Sequence, residues 1–421
     1  MAFFTSRRFL PLFVTQFLGA FNDNLLKNSL VMLITYKLAS APNESQLLVT
    51  AAAGLFILPF FLFSATAGQV SDKIDRAKIT RVIKFVEIII MIAATIGFYL
   101  SSIWFLMFVL FMMGVHSTFF GPIKFALLPQ HLKDDELLLG NAYVEAGTFL
   151  AILLGTILGG ILILHPQGIT FISLALLVVA IGGYISSRYI PESPAPEPLL
   201  IIKKNIWKET WNIVGFARKN KRVFLCIIGI SWFWLVGATY LSQFSTYAKD
   251  VLYAEPEVVT LFLTVFSVGI GLGSFLCNKL LNGEIKSTYV PIAMLGMTLF
   301  GIDLYFASIH NIPAASETLM SLKEFISSFS RLRILLDLLL IAICAGLYIV
   351  PLYAIMQHDS DVNQRARIIA ANNVVNAIFM VAAAIITVVM LASHFTIPQV
   401  FLFMAIANGM VGVYIWRTLK K

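Results

Sequence analysis

Gly68-Gln-Val-Ser-Asp72-Lys73-Ile-Asp75-Arg76-Ala-Lys78 is a short charged stretch between two long apolar runs, residues 47–70 and 80–100. Each run matches the roughly 20 residues that a helix needs to cross the hydrocarbon core of a bilayer. Ten more such runs occur, at 9–38, 102–121, 139–164, 168–188, 222–248, 257–281, 289–309, 334–357, 367–392 and 396–417. An all-α integral membrane protein with twelve transmembrane helices is expected, some joined by hairpins as short as Ser101-Ser102. Composition agrees: the 421 residues are 59% hydrophobic and 12% charged, against about 45–50% and about 25% in soluble domains. That excludes a soluble enzyme, a disordered chain and a nucleic-acid module, in spite of a net charge of +8. Cys226, Cys277 and Cys344 lie far apart in apolar runs, and the six histidines are scattered. No disulfide framework, metal site or cofactor is expected. The first span is too long and polar, and the segment before it too brief, for a cleaved signal peptide.

Lys and Arg fix the orientation, because cytoplasmic loops carry their excess. With both termini in the cytoplasm, 24 of the 30 basic residues fall on the inside. They are Arg7 and Arg8, the five from Lys73 to Lys84, Lys124 and Lys133, the eight from Arg188 to Arg222, Lys279 and Lys286, Arg365 and Arg367, and Arg417, Lys420 and Lys421. Five fall outside, namely Lys37, Lys249, Lys323, Arg331 and Arg333, and Lys27 alone is left in mid-membrane. The longest inside connection divides the chain into six-helix bundles at 1–190 and 222–421. Its Pro191-Glu-Ser-Pro-Ala-Pro-Glu-Pro198 reads as a stiff, extended linker. Residues Ile201 to Asn220, with Trp207 and Trp211, read either as an amphipathic helix at the cytoplasmic interface or as a partly ordered tether. The halves repeat weakly. Gly114 to Gly160 holds Pro122, Gln130, Asn141 and Glu145; Gly346 to Met390 holds Pro351, Gln357, Asn372 and Asn376. Internal repeats of this kind mark secondary transporters, with the substrate site at the repeat interface.

The 68–78 stretch resembles the Gly-x-x-x-Asp-Arg-x-Gly-Arg-Arg loop of the major facilitator superfamily. The resemblance implies that Gly68 allows close helix approach and that Asp72 caps a helix N-terminus from the other half, latching the outward-open state. Lys73, Arg76 and Lys78 would then hold the loop. Lys73 stands where the pattern has Arg, and Asp75 where it has Gly. The equivalent loop of the second half, Asn278 to Lys286, is much eroded.

An ionisable side chain at mid-bilayer costs at least ~2.5–3.5 kcal/mol, so each is a candidate for function. The first span reads Gln16-Phe-Leu-Gly-Ala-Phe-Asn22-Asp23-Asn24-Leu-Leu-Lys27-Asn28. Asp23 and Lys27 share one helix face; Asn24 and Asn28 share an adjoining stripe. Span four ends in His116-Ser-Thr-Phe-Phe-Gly-Pro122-Ile-Lys124, and span five carries Asn141 and Glu145 on one face. The second half has only Asp303 and Asp337 deep and charged, as helix-pairing or pore-lining groups. Asp23 suits a cationic amine, and Lys27 or Lys124 a phosphate; a plain Asp23–Lys27 ion pair is the structural alternative. Lys124 reads equally as a lysine that snorkels at the cytoplasmic edge. Glu145 reads as a proton-linked site or as a partner for Lys124, His116 as a packed histidine, and Glu87 as a partner of Arg81 or Lys84.

Three stretches resemble a narrower group, the bacterial lysophospholipid transporter family. They are Gln16-Phe-Leu-Gly-Ala-Phe-Asn-Asp-Asn24 in the first helix, Gly121-Pro-Ile-Lys-Phe-Ala-Leu-Leu-Pro129 as a turn after helix four, and Gly140-Asn-Ala-Tyr-Val-Glu-Ala-Gly147 opening helix five. The likeness is strong over the first 165 residues and continues through Phe233-Trp234 and Val350-Pro-Leu352. It implies movement of lysophosphatidylethanolamine, and of lysophosphatidylglycerol, across the inner membrane towards the cytoplasm. There an acyltransferase/acyl-ACP synthetase, separate or fused, would reacylate it. That enzyme is not expected within the stretch up to Lys421. Some members carry an Arg in helix seven shortly after Phe-Trp, whereas this chain reads Phe233-Trp-Leu-Val-Gly-Ala-Thr-Tyr240. Clusters such as Phe56 to Phe63 offer a lateral lining for an acyl chain, or simply face lipid.

The leading expectation is a monomeric secondary transporter, not an enzyme, that flips lysophospholipid by alternating access with lateral entry. Its substrate would be bound by Asp23, Asn24, Lys27, Asn28, Lys124, Asn141 and Glu145. Two alternatives stand beside it: a proton-coupled exporter of amphipathic cations, and a non-transporting lipid receptor or acyltransferase docking subunit.

Overall fold

The computed structural model describes residues 3–35, 42–203, 205–311 and 319–419. Lys37, Lys204, Lys420 and Lys421 of the charge count, and part of the 310–333 connection, lie outside them. Among the described residues the protein is helical, with no strand beyond an isolated bridge between Ala254 and Met320. In order, the helices are α1 (Leu10–Leu33), α2 (Pro42–Lys73), α3 (Arg76–Tyr99), α4 (Ile103–His131), α5 (Asp134–Leu164), α6 (Gly168–Ser187) and α7 (Ile206–Ala217). There follow α8 (Lys221–Thr246), α9 (Pro256–Leu281), α10 (Val290–His310), α11 (Leu322–Ser327), α12 (Phe329–His358), α13 (Arg365–Ala392) and α14 (Ile397–Leu419).

Backbone polar groups find no water in lipid, so long apolar runs must close their hydrogen bonds within themselves as helices. Eleven helices are long and apolar enough to cross a membrane, counting α8 through its continuation to Val251 and leaving out α7, α11 and α1. α1 has the length, at 24 residues, but Asn22, Asp23, Asn24, Lys27 and Asn28 spoil its apolarity. The expected twelfth span is thus a helix whose composition serves something other than lipid contact.

Exposure confirms the inside-out pattern of a membrane bundle. On α3, Val82, Phe85, Ile89, Ile92 and Ile96 form an exposed stripe, while Ile83, Glu87, Ile90, Met91 and Ala94 are buried. Apolar surface on that scale marks contact with lipid or partners.

One local feature differs from the sequence reading, and two others add to it. Helix four does not turn at Gly121; α4 runs through Pro122 and Pro129 to His131. Neighbouring helices let membrane helices tolerate proline by satisfying the freed carbonyls. Residues 206–217 take the helical alternative, with Asn205 capping the Lys208 N–H at 3.0 Å. α7 packs on α2, where Thr210 bonds the Phe61 carbonyl and Phe61 meets Trp207 and Trp211. The outer connection holds α11, started by a reciprocal Ser321/Glu324 cap. Donation from the Ser321 backbone N–H holds the Glu324 carboxyl below the usual carboxylate range.

The chain forms two compact units. One comprises Met1–Gly140, Leu150–Phe224 and Met356–Ala377, the other Asn141–Phe149, Leu225–Ile355 and Ile378–Lys421. The first unit has an apolar core of Leu25, Leu30, Met91, Phe98, Leu110 and Leu176, from α1, α3, α4 and α6.

Candidate functional site

The charged stretch between α2 and α3 is a built junction. A Cβ on Gly68 would lie 2.8 Å from the Ala370 side chain and 2.9 Å from the Arg367 Cα, so glycine is what lets α2 touch the start of α13. Four residues on, the fully buried Asp72 accepts from the Ala366 N–H at 3.3 Å and from Arg367 Nε at 3.0 Å. Its other neighbour is the equally buried Arg76, which donates to it at 3.0 Å and to Gln130 Oε1 at 3.0 Å. Lys73 is half-buried beside them.

Sequence reasoning missed the part played by the proline-rich linker. Ser193 accepts from the Arg76 N–H at 3.0 Å and donates its own N–H to Asp75 at 3.0 Å. Gln130 donates to the Pro194 carbonyl, and the Glu197 N–H donates to the Asp72 carbonyl. Glu197 also pairs with Arg367. Asp75, the departure from the superfamily pattern, therefore has two tasks: it caps α3 through the Lys78 N–H at 2.8 Å, and it holds the linker. Only the pairing of an acid with a later, unbonded N–H would have signalled this.

Midway along the first unit lies a second polar cluster. Glu87 is 1% exposed; it accepts from Lys84 Nζ at 2.8 Å and from Asn22 Nδ2 at 2.9 Å, and His116 Nε2 lies 3.3 Å away. Lys84 is 0% exposed. Its ammonium lies 4.6 Å from the Phe120 ring and fills a notch at Gly19, where a Cβ would come within 2.5 Å of it. His116 Nδ1 is 3.5 Å from Ser117 Oγ, which lies 2.8 Å from both carboxylate oxygens of Asp23. Burying an ion demands such pairing. The Lys84–Glu87 spacing is visible in sequence; His116 and Asn22 reach it from other helices and are not.

The remaining candidates separate. Asp23 and Lys27 form no ion pair within 4 Å among the described residues; the Lys27 ammonium lies 5.6 Å from the Phe56 ring. Asn24 bonds the Ala20 carbonyl and Asn28 the Thr156 carbonyl, so this stripe faces α5. A Cβ at Gly155 or Gly159 would strike α1 backbone there. The Lys124 ammonium is 4.8 Å from the Phe125 ring. Asn141 and Glu145 are buried and belong to the second unit. In that unit Asp303 takes a two-pronged bond from Arg333, and Asp337 is buried with Oδ2 unpartnered. No group of three or more His, Cys, Asp or Glu able to hold a metal ion occurs among the described residues.

Residues 12–384 match the family model described as Major Facilitator Superfamily. Among curated proteins, the chain is 26% identical over 356 residues to the lysophospholipid transporter LplT of Shigella sonnei, covering 82% of this chain and 78% of that protein. LplT of Escherichia coli O139:H28 matches with the same identity and coverage. Among solved structures, a bacterial homologue of the iron transporter ferroportin in an outward-facing state superposes with a TM-score of 0.70 at 14% identity, covering 98% of this chain and all of that one. The proton:xylose symporter XylE gives 0.72 at 11% identity, covering 98% of this chain and 95% of that one.

Proposed function

The chain belongs to the Major Facilitator Superfamily, and from that premise we propose that it carries lysophospholipid across the inner membrane towards the cytoplasm. It is a multi-pass transporter of the inner membrane. The carrying observation is the similarity to lysophospholipid transporters over 82% of the chain. The polar centre of α1 gives it chemistry. Asp23, oriented by Ser117 and only partly buried, supplies a counter-charge for an amine headgroup. Lys27 and Lys124 offer ammonium groups for the phosphate, and Asn24, Asn28, Asn141 and Glu145 are the further polar side chains of this reading; Asn28 also ties α1 to α5 through the Thr156 carbonyl. Twelve spans in bundles 1–190 and 222–421, with cytoplasmic termini and the 191–221 linker between them, are part of this reading. So is the Asp72 junction, as a cytoplasmic latch that engages in one state of the cycle and releases in the other. The product side calls for an acyltransferase, and a monomer suffices.

A charged amine entering a low-dielectric cavity loses its hydration, so an opposite charge there counts for much more than in water. Asp23→Asn keeps shape and hydrogen bonding and removes the charge. In proteoliposomes it should slow lysophosphatidylethanolamine roughly tenfold more than lysophosphatidylglycerol, the loss of about 1.4 kcal/mol of selective binding. Full rescue of transport by Asp23→Asn with Lys27→Gln, without headgroup dependence, would leave a structural pair and defeat the binding role. Loss of transport on collapsing a pH gradient, with amphipathic cations as better substrates, would favour the exporter.

A further inference from the structure

We propose that α7 and its flanking residues form a docking surface for anionic phospholipid of the bilayer, and that lipid held there braces the proline-rich linker over the Asp72 junction. Such a surface lies beyond the lysophospholipid reading and takes from it only the cytoplasmic placing of the linker.

The charge here is lopsided. Residues 199–222 include seven basic side chains and one acidic one, Glu209. Glu209 is buried, accepts from Asn212 Nδ2 at 2.8 Å and lies 3.8 Å from Lys203 Nζ. Arg222 is answered by Asp359 at 2.9 Å. Lys208, Arg218, Lys219 and Lys221 are exposed and form no ion pair within 4 Å among the described residues.

Helix geometry sorts these groups by face. Thr210, Ile213, Val214 and Ala217 are turned inward. Trp207, Trp211 and Arg218 share an exposed stripe, and Lys208 and Lys219 share the next one. Trp207 is 61% and Trp211 58% exposed, and Leu199 and Ile201 just before the helix are more exposed still. A face that met only water would carry the lysines without the tryptophans. Large apolar groups flanked by Lys and Arg are what an interfacial helix sinks into the headgroup layer of an anionic membrane.

The place of α7 decides what covers that face. Trp207 and Trp211 both meet the Phe61 ring, with centroids 6.1 and 6.3 Å away, and Thr210 bonds the Phe61 carbonyl. Phe61 lies within residues 45–71 of α2, which carry no ionisable side chain, and Leu58, one turn away, is exposed. A helix docked there lies at the bilayer and not out in the cytoplasm, so lipid, and not a soluble protein, covers its open face. Charge then selects the lipid. Four cations without a counter-ion favour a phosphate that no amine balances, and each Lys or Arg near an anionic surface strengthens attachment roughly fivefold.

Bracing follows from the connections. The Lys203 N–H, two residues before the Asn205 cap, donates to Gln69 Oε1 at 2.9 Å. Glu197 ties the same linker to the Asp72 carbonyl and to Arg367. α7 is therefore the far anchor of the segment that closes over the junction. Held at the lipid surface, it takes from the linker the freedom to lift away.

The full chain in nanodiscs tests this. Gly215 is exposed between the two stripes, with nothing within 4 Å of an added Cβ. Gly215→Cys, combined with Cys226→Ala, Cys277→Ala and Cys344→Ala, therefore carries an environment-sensitive fluorophore on the open face. Stepwise replacement of phosphatidylcholine by phosphatidylglycerol should move its emission to the blue until the response saturates. With Lys208→Gln, Arg218→Gln and Lys219→Gln together, the phosphatidylglycerol needed should rise roughly tenfold or more. No response to phosphatidylglycerol, or one unchanged in that triple variant, overturns the docking surface. Loss of the response to excess inorganic phosphate at matched ionic strength makes a soluble anion the occupant and overturns the lipid. Should the triple variant fail to fold, salt serves in its place: the response should weaken as exposed charges are screened, and insensitivity to salt overturns the docking surface. Cleavage of residues 191–203 by added protease should be severalfold slower in phosphatidylglycerol discs than in phosphatidylcholine discs; equal cleavage overturns the bracing. None of these readouts needs lysolipid to move, so failure of the transport reading leaves them decisive.

Discussion

In the first unit the buried centre is ionic: Lys84, Glu87, His116 and Asn22 meet where a protein interior would ordinarily place leucines. In the second it is aromatic. Tyr240 stacks on Phe401 with ring centroids 4.6 Å apart, Tyr247 meets Phe401 and Phe262, and Phe244 meets Phe262 and Phe266. Lipid tails are as apolar as leucine, so helices in a membrane are held by close packing and interhelical hydrogen bonds instead of by exclusion from water. The two units use the two available kinds of glue. Only the ionic kind changes its charge with pH, or loses its grip when one partner goes. The comparison therefore sets an ion-paired centre in the first unit against an aromatic one in the second, where Asp303, Arg333 and Asp337 stand apart on α10 and α12 and Glu145 is buried on α5.

The largest expected effect follows from removing one member of a buried ion pair. Glu87→Gln leaves the Lys84 ammonium uncompensated, and breaking such a pair from one side costs about 3–5 kcal/mol. Thermal unfolding of the purified protein in detergent should show that loss, with most of it recovered in the double variant Glu87→Gln, Lys84→Met. A cost below about 1 kcal/mol for the single change would mean that the cluster is solvated, and the contrast between the units would collapse.

Asp72→Asn comes next. It removes a charge that answers Arg76, Arg367 and the first turn of α13 together. Hydrogen bonds to charged groups contribute about 1.5–3 kcal/mol each. Losing one such contribution shifts a two-state equilibrium tenfold or more, here away from the state in which this junction is closed. Insertion should be unaffected. Single cysteines near each end of the spans report the shift by their labelling from the two sides; equal labelling in both proteins refutes the latch.

Asp75→Gly, which restores the superfamily pattern, should cost less. It replaces the α3 N-cap by glycine, a loss of only about a few tenths of a kcal/mol, and unties the linker at Ser193, where a hydrogen bond contributes about 0.5–1.5 kcal/mol. Faster proteolysis of residues 191–203 with little change in the unfolding temperature is the expected signature. A linker as protected as before would show that Gln130 and Arg367 hold it without Asp75.

These residues also mark where sequence reading succeeded. The apolar runs, the glycine at position 68 and the i, i+3 pair of Lys84 and Glu87 are local signals, legible because helix geometry fixes what sits beside what. The Gly19 notch, the reach of His116 and Asn22 to Glu87, and the return of the 191–198 segment over Asp72 and Asp75 depend on which helices become neighbours. No spacing rule within one helix encodes that. Helix four was misread at Gly121 because proline breaks helices in water more reliably than in a packed membrane bundle.

The smallest effect probes the other side of the comparison. Ser308 Oγ already gives its only proton to the Leu304 carbonyl, so in the 2.6 Å contact with Tyr247 the phenol must be the donor. Tyr247→Phe removes that one bond and leaves the ring against Phe262 and Phe401. The oxygen of Ser308 loses a donor but keeps its own bond, so no buried group is stranded. Interhelical hydrogen bonds of this kind average about 0.6 kcal/mol in membrane proteins, several times less than the loss expected at Glu87. Unfolding of the two single variants, measured side by side in the same detergent, gives the ratio directly. A Tyr247→Phe loss equal to that of Glu87→Gln would show that the aromatic centre also depends on its polar tips, and the division into an ionic unit and a stacked one would no longer hold.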